Sequence, residues 1–224
     1  VDERMVHDIV QKVMANMQIS GSVSGMHGVF KDMNDAINAS IEAQKKVCTM
    51  TLDQREQIIS LIRKKTHENA EILANMGVNE TGMGNVGDKI LKHHLTADKV
   101  PGTEDISTIA WSGDRGLTLV EMGPFGVIGA ITPATNPSET VICNCIGMLA
   151  GGNTVVFNPH PNAKKTTIYT INMINEASIE AGGPDNIAVT VEAPTLDTSA
   201  IMMKHPSIHL LVATGGPGVV TAVL

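Results

Sequence analysis

The chain reads as an α/β protein: a parallel, Rossmann-type sheet with helices on both faces, preceded by an N-terminal helical region. Two observations predict that class. From Leu117 onward, short β-rich apolar runs alternate with helical-period segments at a spacing that implies right-handed βαβ crossovers. Before that point the apolar residues recur at helical spacing. A Pro/Gly-bearing break over Val100–Gly116 separates the two regimes.

Taken in order, Asp2–Gln18 reads as an amphipathic helix with Val6, Ile9, Val10, Val13, Met14 and Met17 on one stripe. Its apolar residues are periodic, and Asp2 and Glu3 open it, so it is not a secretory signal. A helix this short is marginal alone, so the stripe must dock on its own body, a sister chain or a different protein. Ile19–Gly25 has the composition of a flexible linker. The expected divisions are 1–18 (docking helix), 19–28 (linker), 29–116 (helical part) and 117–224 (nucleotide-type α/β part).

Asp32–Lys46 and Leu52–Asn75 read as helices, the second with Thr51 and Asp53 as possible caps. Gly82-Met83-Gly84-Asn85-Val86-Gly87 matches G-x-G-x-x-G literally. The dinucleotide fingerprint needs a preceding strand, however, and here a helix precedes, so the glycines read as a helix end. His93 and His94 diverge by about 100° on a helix and read as surface residues. Then come strands Leu117–Glu121 and Val127–Thr132, helix Ser138–Leu149 and strand Thr154–Phe157. Helix Ala163–Ala181, strand Ile187–Val191, helix Leu196–Lys204, strand Ile208–Ala213 and a helix from Pro217 complete the alternation.

A chain of 224 residues with 42% hydrophobic content can bury a full core in one or two domains. A net charge of -7 argues against broad nucleic-acid or anionic-membrane binding. Three cysteines, an odd number, suggest a reducing compartment, and no apolar run approaches the roughly 20 residues that span a bilayer. The expectation is a soluble cytoplasmic protein.

In a parallel sheet, ligands bind in the crevice at the carboxyl ends of the strands. Three turns fall there: Pro133-Ala134-Thr135-Asn136-Pro137, Asn158-Pro159-His160-Pro161 and Thr214-Gly215-Gly216-Pro217-Gly218. In the first, two prolines forbid continuation of strand or helix and hold a polar Thr/Asn pair between them. In the last, glycines let backbone amides approach an anion at a helix start. Each alone also reads as an ordinary turn. Cys143 and Cys145, two apart on a helix among apolar neighbours, suit neither a disulfide nor a metal, and Cys48 lacks a partner. No metal site is expected.

With those turns in hand, the chain resembles the CoA-acylating aldehyde dehydrogenases, and within them the acetaldehyde and propionaldehyde enzymes of bacterial microcompartments. The resemblance rests on Glu80-Thr81-Gly82-Met83-Gly84, Pro124-Phe125-Gly126-Val127-Ile128-Gly129, Ile131–Pro137, Gly152–Phe157 and Ala213–Gly218, a set that spans nearly everything after the linker. It implies conversion of a short-chain aldehyde and CoA to acyl-CoA through a cysteine thioester, with NAD as hydride acceptor and a side-chain amide and a backbone amide holding the oxyanion. It places Thr132, Pro133 and Ala134 by the nicotinamide ribose and pyrophosphate, and Asn158, Pro159 and His160 along the adenosine ribose. Pro194 falls beside adenine, and Thr214, Gly215 and Gly216 near the phosphates.

The resemblance also implies that residues 2–18 form an encapsulation tag docking on shell or core proteins, that the protein is a homo-oligomer, and that it works inside a microcompartment. Two positions depart from the family pattern. Ordinary members read Pro-Trp-Asn-x-Pro in the first turn, which leaves Asn136 and Thr135 both as oxyanion candidates. A lysine usual in the adenosine site is Asn158 here, which leaves NAD against NADP open. The family nucleophile lies in a separate catalytic domain, so the chain is expected to be an N-terminal fragment without the catalytic thiol. A non-catalytic nucleotide-fold scaffold module is the alternative.

Overall fold

The computed structural model describes residues 25–223. The expected docking helix and most of the linker therefore lie outside the described residues. A two-residue strand, β1 (Val29–Phe30), comes first, unanticipated in the sequence because so short a run has no period. Asp32 then starts helix α1 (Met33–Val47) by accepting from the Asn34 and Asp35 amides. Helix α2 (Leu52–Thr81) opens with a reciprocal capping box between Thr51 and Gln54 and runs on past the expected Asn75. It stops at Gly82, whose left-handed φ of 69° lets its N–H reach Val78 O at 2.8 Å. Asn85 caps helix α3 (Val86–Lys99). The literal G-x-G-x-x-G thus joins two helices, as its context implied.

Strands β2 (Ile109–Gly113) and β3 (Gly116–Val120) form an antiparallel hairpin. This corrects the expected place of Leu117–Glu121 in the alternating parallel series. The hairpin strands pair only with each other, and every residue in them is exposed. An apolar run such as Leu117-Thr118-Leu119 signals a strand, but not which sheet it joins.

The remaining elements are β4 (Val127–Thr132), α4 (Pro137–Ala150), β5 (Thr154–Pro159), α5 (Lys164–Glu180), β6 (Ala188–Val191), α6 (Leu196–Lys204), β7 (Ile208–Ala213) and α7 (Pro217–Val223). The five-stranded sheet has the order β1-β6-β5-β4-β7, and every pairing in it is parallel. Central strands β4 and β5 are buried on both faces, as their continuous Val/Ile/Phe runs require. On one face Ala130, Val155 and Phe157 pack with Ile58, Ile59 and Ile62 of α2, Ile142 and Ile146 of α4, and Ile171 and Ile174 of α5. On the other, Val127, Val156 and Val189 meet Met33, Ala36 and Ile37 of α1 and Met202 of α6. The alternation Val155/Val156/Phe157 between the two clusters is the two-residue period of a strand. This is a parallel α/β sheet covered by helices on both faces, with a helical stretch before the main strands.

Candidate functional site

Because all five strands run the same way, the turns after β4, β5, β6 and β7 share one rim. Three of them are stitched together through the last carbonyls of β4. His160 N donates to Thr132 O and Thr214 N to Ile131 O, both at 3.0 Å. The Pro133–Pro137 turn therefore sits between the Asn158–Pro161 and Thr214–Gly218 turns. Thr132 itself is 2% exposed, and its Oγ1 has no hydrogen-bond partner. An orphaned hydroxyl is costly in a protein interior, and here it lies at the carboxyl end of β4, where the three turns meet.

The flanking candidates differ in how free they are. Asn158 is buried, and its amide is already committed. Nδ2 donates to Thr195 O at 3.3 Å, and Oδ1 accepts from Thr198 Oγ1 at 2.7 Å, tying β5 to the capped start of α6. Pro159 is buried as the last residue of β5, and Pro194 is buried in the turn after β6. His160 is exposed and accepts the Asn162 amide on Nδ1, which leaves Nε2 outward. Thr214, Gly215 and Gly216 are exposed. A Cβ on Gly216 would meet nothing within 4 Å, whereas one on Gly215 would press on Val219 at 3.2 Å. Pro133 and Ala134 are half-buried, and Thr135 is exposed.

Below the first turn lies a polar cluster that the sequence reading did not assemble. Lys89, on α3 and only 5% exposed, donates from Nζ to Thr135 O (2.6 Å), Asn136 Oδ1 (3.1 Å) and Glu139 Oε1 (2.9 Å). Lys92 Nζ, one helical turn on, reaches Asn136 Oδ1 at 2.9 Å. His93 is fully buried, which corrects its expected surface position. Its Nδ1 donates to Lys89 O and its Nε2 lies 2.7 Å from Ser138 Oγ. Burial holds the His93 pKa below its ordinary value against the raising influence of Glu139. The neutral ring therefore carries its proton on Nδ1, and Ser138 donates to Nε2. A signal was present in the sequence: Lys89, His93 and Ala97 form one helical stripe, and Glu139 stands in the first turn of an otherwise apolar helix. His94 instead stacks on His67 at the surface.

None of the cysteines is set up as a nucleophile. Cys145 is buried and Cys143 exposed, and desolvation pushes both thiols upward, away from thiolate character. Cys48 is exposed at the C-terminal end of α1, where Gln44 Nε2 contacts its sulfur. Among the described residues, no group of three or more His, Cys, Asp or Glu could hold a metal ion. No helix there is long and apolar enough to cross a membrane.

Comparison with known proteins shows what the chain is similar to. The chain is 46% identical over 97% of its length to an acetaldehyde dehydrogenase (acetylating) of Bilophila wadsworthia, covering 46% of that protein. A propionaldehyde dehydrogenase from the Clostridium phytofermentans fucose utilisation bacterial microcompartment superposes with a TM-score of 0.86 at 72% identity. That match covers 88% of this chain and 45% of the other. A Rhodopseudomonas palustris propionaldehyde dehydrogenase with bound propionyl-CoA gives 0.85 at 47% identity, over 88% and 44% of the two chains. The chain thus spans about half the length of the relatives it matches. The family model described as "Aldehyde dehydrogenase family" matches residues 15–224, and the chain belongs to that family, with its similarity centred on the CoA-acylating members associated with microcompartments.

Proposed function

We propose that this chain is the NAD-binding part of a CoA-acylating aldehyde dehydrogenase, an enzyme that converts a short-chain aldehyde and CoA to acyl-CoA through a cysteine thioester. The observation that carries this reading is the convergence of three strand-end turns on the last two carbonyls of β4, beside the orphaned Thr132 hydroxyl. NAD, when bound, supplies the hydride acceptor. Thr132, Pro133 and Ala134 would line its nicotinamide side, with the Thr132 hydroxyl as a free partner for a ribose or phosphate oxygen. Thr214, Gly215 and Gly216 would face the phosphates with exposed backbone, and His160 and Pro194 would border the adenosine. Asn158 shapes the adenosine end by holding β5 to α6, because its own amide is engaged.

Asn136 is the side-chain oxyanion donor in this reading. Thr135 is the weaker candidate, since its carbonyl is anchored by Lys89 and its side chain is exposed. No thiol of this chain acts as nucleophile. Calorimetric titration of the 224-residue chain with NAD tests the cofactor reading: saturable binding that Thr132→Val weakens about tenfold supports it, and no heat at any concentration sinks it. The same chain mixed with aldehyde, CoA and NAD is expected to make no NADH, and robust CoA-dependent turnover would refute the assignment of the nucleophile to another region. The microcompartment named for the 72%-identical relative supports a tag role for residues 2–18. Fused to a fluorescent protein in cells that make such compartments, residues 1–18 should give puncta rather than diffuse light.

A further inference from the structure

Asn136 occupies the N-cap of α4 and does not cap it. An N-cap asparagine ordinarily turns its side-chain oxygen onto an amide two or three residues ahead. Here Oδ1 accepts instead from Lys92 Nζ at 2.9 Å and Lys89 Nζ at 3.1 Å. An ammonium has donors only. The two lysines therefore fix which end of the carboxamide faces them, and the Nδ2 end is left pointing away, with no acceptor among the described residues. Lys89 is fixed in turn. Its ammonium has three N–H groups and three acceptors, the Thr135 carbonyl, Asn136 Oδ1 and Glu139 Oε1, in a site 5% exposed. Behind it, His93 bridges the Lys89 carbonyl and Ser138, so α3 and the first turn of α4 are bound as one unit.

We propose that Lys89 and Lys92 are positioning residues for acyl transfer, orienting the Asn136 amide and strengthening Nδ2–H as a donor to the oxyanion. The proposal rests on the reading of Asn136 as that donor. Positive charge at the amide oxygen draws density from the nitrogen, so each Nδ2–H binds developing negative charge more strongly. A donor already locked in place also needs no reorganisation when the oxyanion forms. The lysines touch neither substrate nor reacting atoms. Their effect passes through one carboxamide, supplied by an exposed cation on one side and a buried, ion-paired one on the other.

The test uses the full-length gene product with aldehyde, CoA and NAD. Asn136→Ala should lower kcat on the order of 10²–10³-fold. Lys89→Met should lower it about ten- to a hundredfold and Lys92→Met about two- to fivefold, with the KM for NAD unchanged. Lys89→Arg should recover part of the loss, and the Lys89→Met/Asn136→Ala double variant should be no slower than Asn136→Ala alone. Because Lys89→Met strands Glu139 and endangers folding, the Lys92→Met variant carries the second readout. In that variant the side-chain amide resonances of Asn136 in the 224-residue chain should move upfield and exchange more slowly with solvent, as a less polarised N–H does. If Asn136→Ala is slow while both lysine variants keep full kcat, or if the Asn136 resonances do not change, the positioning role is overturned and the oxyanion reading stands. If Asn136→Ala itself keeps its kcat, the oxyanion reading falls and takes this proposal with it.

Discussion

At Gly28 the backbone adopts φ +77°, and an added Cβ would sit 2.3 Å from Asn175 Nδ2 and 2.4 Å from the Ala188 carbonyl. Both neighbours are fixed, since Asn175 Nδ2 bonds the Ala188 and Ile171 carbonyls and Gly28 O accepts the Thr190 amide. Gly28→Ala is therefore expected to cost roughly 2–5 kcal/mol, read as a lower urea midpoint with an unchanged slope. His93 supplies a pH dependence whose sign follows from its burial. Its folded pKa is lowered from the ordinary 6.5, so the unfolded chain binds more protons as the pH falls below that value. Stability contributed by the neutral ring is then lost from about pH 6.5 downward, at up to about 1.4 kcal/mol per pH unit, until the folded ring also protonates. Lys89, Glu139 and His94 face the ring. Denaturation midpoints measured between pH 7.5 and 5 should show this slope, and His93→Gln should flatten it.

Residues two apart on a helix face roughly opposite ways, and accordingly Cys143 is exposed and Cys145 buried, though spacing alone does not say which. For Lys89 and His93 the stripe they share with Ala97 was visible, but the partners they face were not. A lysine and a histidine in mid-helix look solvated until a partner from fifty residues away is brought beneath them.

Helices and strands are where the sequence was most informative. Leu196–Lys204 and Ile208–Ala213 fall where their periods put them, and most other boundaries move by a residue or two. The exceptions have local causes. Helix α2 ignores its weakening period after Asn75, runs through Gly77 and ends at Gly82, which takes the left-handed turn. Its last turn carries Glu80, whose carboxylate accepts the Lys165 and Thr166 amides and the Thr166 hydroxyl at 2.7–2.8 Å. That side chain caps α5 from another helix, which gives the first residue of the Glu80–Gly84 motif a structural task. Glu80→Ala should cost about 1–2 kcal/mol and Glu80→Gln less, measured by chemical denaturation. Amide exchange should rise first in the opening turn of α5.

For the molecule as a whole, four of the five parallel strands followed from alternation, whereas β1, the strand order and the face each helix covers did not, because period carries no information on which neighbour a strand selects. The β2–β3 hairpin shows the same limit: it exposes Trp111, Leu117 and Leu119 at 57%, 65% and 61%, and a residue-by-residue reading assigns such a run to a core. With so little of it packed on the sheet, replacing residues 108–121 by a short Gly/Ser linker should leave the melting temperature within about 3 °C. The same change should reduce self-association in light scattering, since apolar surface of this kind promotes it. A large drop in melting temperature would show that the hairpin is integral to the fold.

Strand β1 occupies the edge of the sheet opposite β7, roughly 19 Å away at ordinary strand spacing. It runs parallel to the others, so the chain reaches Val29 from the rim opposite the one that gathers Thr132, His160 and Thr214. The backbone at Gly28 therefore feeds into the sheet from the side away from those turns, with the length of a strand between that entry and the proposed cofactor rim.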